Sequence, residues 1–189
     1  MQLCFDIDNV IANTDPIIRR IIYQHTGGRV DLKREDVIEF DYCSCPDKNG
    51  NLLTKSEWYE VHNLFSKPEI ISSIDLFPGV PECLKRLSTR YEIYIATSRL
   101  LQTRSATVSW LKKNQINEYK IHFIKSGRKH ETLGLTDIIV EDHYEQAAAF
   151  AQNGTKCFII EYPWNSNKPA RQKLEWVKGW DELMVRLLD

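Results

Sequence analysis

Short runs of apolar and β-branched residues recur along this chain with room for a helix between most of them, and that alternation is what most limits its fold. After Leu3-Cys4-Phe5 come Tyr91 to Ala96, Ile121 to Ile124, Asp137 to Val140 and Thr155 to Ile160. Runs this short, bounded by polar residues, read as strands. The stretches Val80 to Leu87, Thr103 to Lys113 and Tyr144 to Ala151 instead carry apolar residues at helical spacing. Strand, helix, strand order predicts βαβ units, hence an α/β fold in which a parallel sheet is the middle of three layers. Ligands of such sheets bind beyond the carboxyl ends of the strands. The residues that follow each run are therefore the ones to search for chemistry.

The alternation fails between Asn13 and Leu76. Asp15-Pro16 offers an acceptor at a helix cap and a proline at the first helical position, and Ile17, Ile18, Ile21 and Ile22 follow on one face. Thr54-Lys55-Ser56-Glu57 has the capping-box pattern and opens a second helix to about Phe65. Between them, Asp41 to Asn51 reads as a loop. These features predict a small helical cap, residues 15–76, inserted after the first strand into an α/β core of residues 1–14 and 77–189. Its aromatics Phe40, Tyr42, Trp58, Tyr59 and Phe65 could pack the cap's own interior or stack on a planar substrate group.

The first run leads into Asp6-Ile7-Asp8-Asn9-Val10. In an extended chain, side chains two apart point the same way, so Asp6 and Asp8 can share one small volume. Two such anions repel, and the conflict is relieved by a retained proton or by a divalent cation. An oxygen-only ligand set suits Mg²⁺. A solvated turn after a strand is the plain alternative. The second run ends in Thr97-Ser98-Arg99, whose donors suit a phosphate oxygen or simply cap a helix. The fourth ends in Glu141-Asp142, a second acidic pair delivered to the same sheet edge, which is what a Mg²⁺ site requires. Lys125 and Lys129 lie between them, and either could neutralise a phosphoryl group as a point charge.

With 25 basic and 26 acidic residues the formal charge is −1, so there is no large basic field for duplex nucleic acid or an anionic membrane. No apolar run approaches the roughly 20 residues of a membrane helix, and the N-terminus lacks a signal peptide's layout. A cytoplasmic protein is expected. The five cysteines are an odd number, and Cys43-Ser44-Cys45 has no second pair or suitably spaced histidine to complete a zinc set.

Taken in order, these parts resemble the haloacid dehalogenase (HAD) superfamily of phosphohydrolases, over nearly the whole chain. The first motif of that superfamily matches Asp6-Ile7-Asp8-Asn9-Val10, the second Thr97, the third a lysine and the fourth Glu141-Asp142. Asn9 departs from the usual glycine, although asparagine tolerates positive φ. A closer resemblance is to the 5′(3′)-deoxyribonucleotidase-like branch and its bacterial relatives, carried by Thr97-Ser98, Ser126-Gly127-Arg128-Lys129, Tyr162-Pro163-Trp164-Asn165 and Trp180-Asp181-Glu182-Leu183. The resemblance implies a HAD-like core and a Mg²⁺-dependent phosphomonoester hydrolase. In it Asp6 is the nucleophile and Asp8 the acid and base. Thr97, Ser98, Arg99 and Lys129 (or Lys125) bind phosphate, and Asp6, the Asp8 carbonyl, Asp142 and, through water, Glu141 hold the metal. The implied partner is a small phosphomonoester, with a nucleotide ahead of a sugar phosphate. A silent phosphate-binding module and a nuclease are the competing classes, and monomer or homodimer stays open.

Overall fold

The computed structural model describes residues 1–134 and 136–189. Six strands, β1 (Gln2–Phe5), β2 (Glu92–Thr97), β3 (Lys120–Phe123), β4 (Ile138–Glu141), β5 (Lys156–Ile160) and β6 (Leu174–Val177), form one sheet in the order β3-β2-β1-β4-β5-β6. Every neighbouring pair is parallel. Because β1 has β2 on one side and β4 on the other, the direction in which successive strands are added reverses beside β1, and the crevice there is where a ligand fits. Register sets the depth of that crevice: Phe5 faces Ile95 of β2 and Val140 of β4, so the ends of all three strands lie level.

Helices α1 (Asp15–His25), α2 (Lys55–Phe65), α3 (Pro68–Ser72), α4 (Val80–Leu87), α5 (Arg104–Lys113), α6 (Lys129–Leu133), α7 (Tyr144–Gln152) and α8 (Trp180–Leu188) complete the chain. Strand side chains alternate between faces, and both faces are buried. Leu3, Phe5, Ile95 and Val140 pack with Leu84 of α4, Trp110 of α5 and Leu183 of α8. Cys4, Ala96, Ile139 and Ile159 pack instead with Ala147, Phe150 and Ala151 of α7. This is the three-layer arrangement predicted from the alternation. The sixth strand was not predicted, because Leu174-Glu175-Trp176-Val177 is a short edge strand flanked by charged residues.

Residues 15–76 add α1, α2 and α3 but no strand to the sheet. The chain enters and leaves this segment side by side, with Asn13 N–H donating to Asp75 O at 2.9 Å and Phe77 N–H to Ile11 O at 3.1 Å. The Trp110 indole N–H reaches across from α5 to Ile74 O at 2.8 Å. The α2 capping box forms as predicted: Glu57 N–H donates to Thr54 Oγ1 and Thr54 N–H to the Glu57 carboxylate. At α1 the prediction is off by one residue. Thr14 is the cap, Asp15 and Pro16 are the first helical residues, and the Thr14 hydroxyl donates to Asp8 rather than accepting from the helix. All five cysteines are free, and among the described residues no helix is long and apolar enough to cross a membrane.

Candidate active site

Asp6 stands one residue past β1 and keeps sheet register, its N–H donating to Val140 O at 3.0 Å. That level brings it beside the end of β4, where Glu141 and Asp142 follow, and one carboxylate oxygen from each of the three lies within 4.8 Å of the others. Among the described residues they are the sole group of three acidic, histidine or cysteine side chains so gathered. Lys129, 1% exposed, answers them from the first turn of α6, with Nζ 2.7 Å from Asp6 Oδ1 and 2.8 Å from Glu141 Oε1. The approach to Asp6 is an ion pair rather than an aligned hydrogen bond, since Asp6 Oδ1 has no hydrogen-bond partner.

One ammonium cannot balance three buried carboxylates. Burial, and then the Asp6 and Glu141 charges, raise the Asp142 carboxyl well above its usual range. Burial likewise pushes Glu141 up to about 7 and raises Asp6, in both cases against the pull of Lys129. For Lys129 burial opposes the charge, but the Asp6 and Glu141 carboxylates outweigh it and its pKa rises. Glu141 Oε2 is buried with no partner. Excess negative charge, an orphaned oxygen and oxygen-only donors fit a hard divalent cation such as Mg²⁺.

Asp8 is held differently. Its side chain is not one of the three gathered carboxylates. Arg99 Nη2 donates to Asp8 Oδ1 at 2.7 Å and Arg99 Nε to Oδ2 at 3.0 Å, while the Thr14 hydroxyl donates to Oδ1 at 2.7 Å. Burial works to raise the Asp8 carboxyl, yet the Arg99 charge and these hydrogen bonds prevail and hold it below its ordinary value. The guanidinium is itself fixed, 5.4 Å above the Trp110 ring and 5.9 Å from Phe65.

The remaining predicted residues separate. Thr97 is fully buried, and its hydroxyl accepts the Arg99 N–H at 3.2 Å, so it shapes the turn after β2. Ser98 and Arg99 line the cavity above the acids; the Ser98 hydroxyl is buried and unpartnered. Lys129 lies behind Asp6 and Glu141, off the cavity wall. Of the two candidate lysines, Lys125 is exposed on the turn before α6 and does not line the cavity, whereas Lys129 is buried against Asp6 and Glu141. Ser126, which had no predicted role, lines the cavity.

That cavity encloses about 630 Å³, with Asp6, Asp8 and Asp142 at its floor and residues of segment 15–76 forming much of its wall. The predicted aromatics divide between the two roles considered. Tyr42 stacks on Trp58 with centroids 5.3 Å apart and its hydroxyl donates to Asp15, so it is a packing residue that also faces the cavity. Phe40 stacks on His143, 3.9 Å between centroids, and Tyr59 is 66% exposed. Sequence reasoning gave no role to Gln146 or Trp164, which line the cavity together with His143. Their adjacency to Asp142 and to the Tyr162-Pro163-Trp164-Asn165 run was the available signal.

The family model for 5′ nucleotidase, deoxy (pyrimidine), cytosolic type C proteins matches residues 1–187. A nucleotidase of Clostridium acetobutylicum is 26% identical over 185 residues, covering 97% of this chain and 91% of that one. A Staphylococcus epidermidis protein provisionally named a 5′(3′)-deoxyribonucleotidase is 21% identical over 184 residues, covering 96% and 93%. Among solved structures, a haloacid dehalogenase-like hydrolase of Streptococcus pneumoniae superposes with a TM-score of 0.66 at 16% identity, covering 99% of this chain and 96% of that one, a likeness of fold. The chain has a haloacid dehalogenase-like fold and belongs to the 5′ nucleotidase, deoxy (pyrimidine), cytosolic type C protein family.

Proposed function

We propose that this chain hydrolyses nucleoside monophosphates with Mg²⁺ through an aspartyl phosphate on Asp6, under a cap formed by residues 15–76. The observation that carries the reading is that Asp6 and Asp142, which line the floor of a cavity walled by Phe40, Tyr42 and Trp58, converge with Glu141 and Lys129 just behind that floor. Asp6, Asp142 and the Asp8 main-chain carbonyl would hold the cation, with Glu141 acting through water. A bound Mg²⁺ would supply positive charge to nucleophile and phosphate together.

The chain's own residues then divide the work. Lys129 holds the Asp6 carboxylate by an ion pair and offsets its charge, which lets an anion approach a dianionic phosphate. Asp6 attacks phosphorus while the bond to the leaving oxygen breaks, and Asp8 gives that oxygen a proton. Water next attacks the phosphoenzyme, Asp8 takes its proton, and Asp6 and inorganic phosphate are released. For Asp8 to begin protonated, Arg99 must loosen its hold, and the phosphoryl oxygens are the anion that competes for the guanidinium. Ser98, with its unpartnered hydroxyl, is placed to donate to the same oxygens. The aromatic wall excludes water and takes a planar base.

Release of inorganic phosphate from nucleoside 5′- and 3′-monophosphates and from sugar phosphates, with Mg²⁺ and in excess chelator, tests the reading. Turnover of a nucleotide above all sugar phosphates, lost in chelator, is the expected result. Full activity in chelator, or preference for a sugar phosphate, would reject it.

A further inference from the structure

Asn9 stands where the superfamily this chain resembles usually carries glycine, at a backbone position that favours glycine, φ 57°, and is only 6% exposed. An L-residue there bears a conformational cost, so its side chain should have a use. Asn9 Nδ2 donates to Asp142 Oδ2 at 3.0 Å, and Asn9 Oδ1 accepts the N–H of Asp15, the first residue of α1, at 2.9 Å. The amide cannot be turned over without setting oxygen against carboxylate and NH₂ against N–H. Asn9 thus joins a carboxylate of the acidic floor to an otherwise orphaned donor at a helix start.

A second set of contacts fixes the frame around that link. The Tyr162 hydroxyl donates to Asn9 O at 2.8 Å, and Asn165 Nδ2 and Trp164 Nε1 donate to Asp142 O at 2.8 and 3.2 Å. The rings of Tyr162 and Trp164 stack 4.2 Å apart and nearly parallel, holding these donors together. The run after β5 therefore grips the main chain of both residues whose side chains meet.

We propose that Asn9 is a positioning residue for the cation: its amide orients the Asp142 carboxylate and ties it to the first turn of α1, while Tyr162, Trp164 and Asn165 fix the carbonyls on either side. This rests on the metal-dependent reading above. Carboxylates that bind metals depend on such outer hydrogen bonds, whose loss typically weakens metal affinity by about 10–100-fold. Asn9→Gly keeps the positive φ at little cost and removes only the amide.

The test is Mn²⁺ binding to parent and Asn9→Gly protein without substrate, by electron paramagnetic resonance, together with the Mg²⁺ dependence of turnover. We expect Mn²⁺ affinity to fall about tenfold or more and the half-saturating Mg²⁺ concentration to rise in step, with turnover largely recovered at saturating Mg²⁺. A purely structural asparagine would lower the melting temperature and leave both metal curves in place, and that result overturns the proposal. Should Asn9→Gly not fold, Tyr162→Phe, which releases only the Asn9 carbonyl, is expected to move the same curves by a smaller factor; unmoved curves would overturn the proposal equally. A parent that binds no Mn²⁺ removes the metal reading itself, whereas a parent that binds it and an Asn9→Gly variant that binds as tightly removes this inference alone.

Discussion

The two aspartates of the first strand end differ in charge environment more than in position. Asp6 is buried among carboxylates and raised, whereas Asp8 is gripped by Arg99 and lowered. Two predictions follow from that contrast. Asp6→Asn should abolish phosphate release, yet the metal-free protein should melt no lower than the parent, because the substitution relieves a site where acids outnumber the lysine. Residual turnover near the parent's, or a large drop in melting temperature, would count against it. Asp8→Asn keeps the side chain's shape, but it sets an NH₂ donor in place of one oxygen that accepts from Arg99 and cannot shuttle a proton, and should cost about 10²–10⁴ in turnover. Burst kinetics with a good leaving group, which needs little acid help, should show phosphoenzyme accumulating. The pair itself was legible in the sequence as Asp-x-Asp after an apolar run. Its division of labour was not, since the deciding partner, Arg99, is 91 residues away. The turn Ser126-Gly127-Arg128-Lys129 already put Lys129 ahead of Lys125, but its burial against Asp6 and Glu141 depends on strand ends far along the chain.

Among the elements, α2 carries the clearest consequence for substrate choice. Its capping box fixes where it starts, and Trp58, one residue past Glu57, thereby faces the cavity against Tyr42. Base stacking on one aromatic side chain is worth about 1–3 kcal/mol. Trp58→Ala should therefore raise KM for a nucleoside monophosphate by roughly 5- to 150-fold, by that range, while KM for a small phosphomonoester without a ring changes little. Equal losses on both substrates would mean that Trp58 only packs the wall. Elements with strong local signals were readable before any coordinates: α2 from Thr54 and Glu57, and β1, β2, β4 and β5 from runs buried on both faces. Elements without them were not. The five-residue α6 and the edge strand β6 have too few apolar positions to show a period, and their form follows from neighbours supplied by the rest of the fold.

At the scale of the whole molecule, the acidic floor links stability to pH and to metal. Glu141 in the folded protein titrates near 7, above its ordinary 4.5, and Asp142 is raised further in direction by burial. Between those values the native state binds more protons than the unfolded one, so stability must fall as pH rises through the window. Other groups can be separated from this. Asp47 and Glu57, lowered to about 2, are ionised in both states above pH 5 and contribute a constant. His62, His122 and His143, lowered by burial, add stability as pH rises towards 6.5 and then level off. The informative range is consequently pH 6.5 to 8. In excess chelator the melting temperature should decline across it, with a shallower decline in Glu141→Gln. Saturating Mg²⁺ should flatten or reverse the slope, because a cation favours the ionised carboxylates that proton loss creates. Parallel slopes with and without Mg²⁺ would show that the three carboxylates hold no cation, however closely the sheet gathers them.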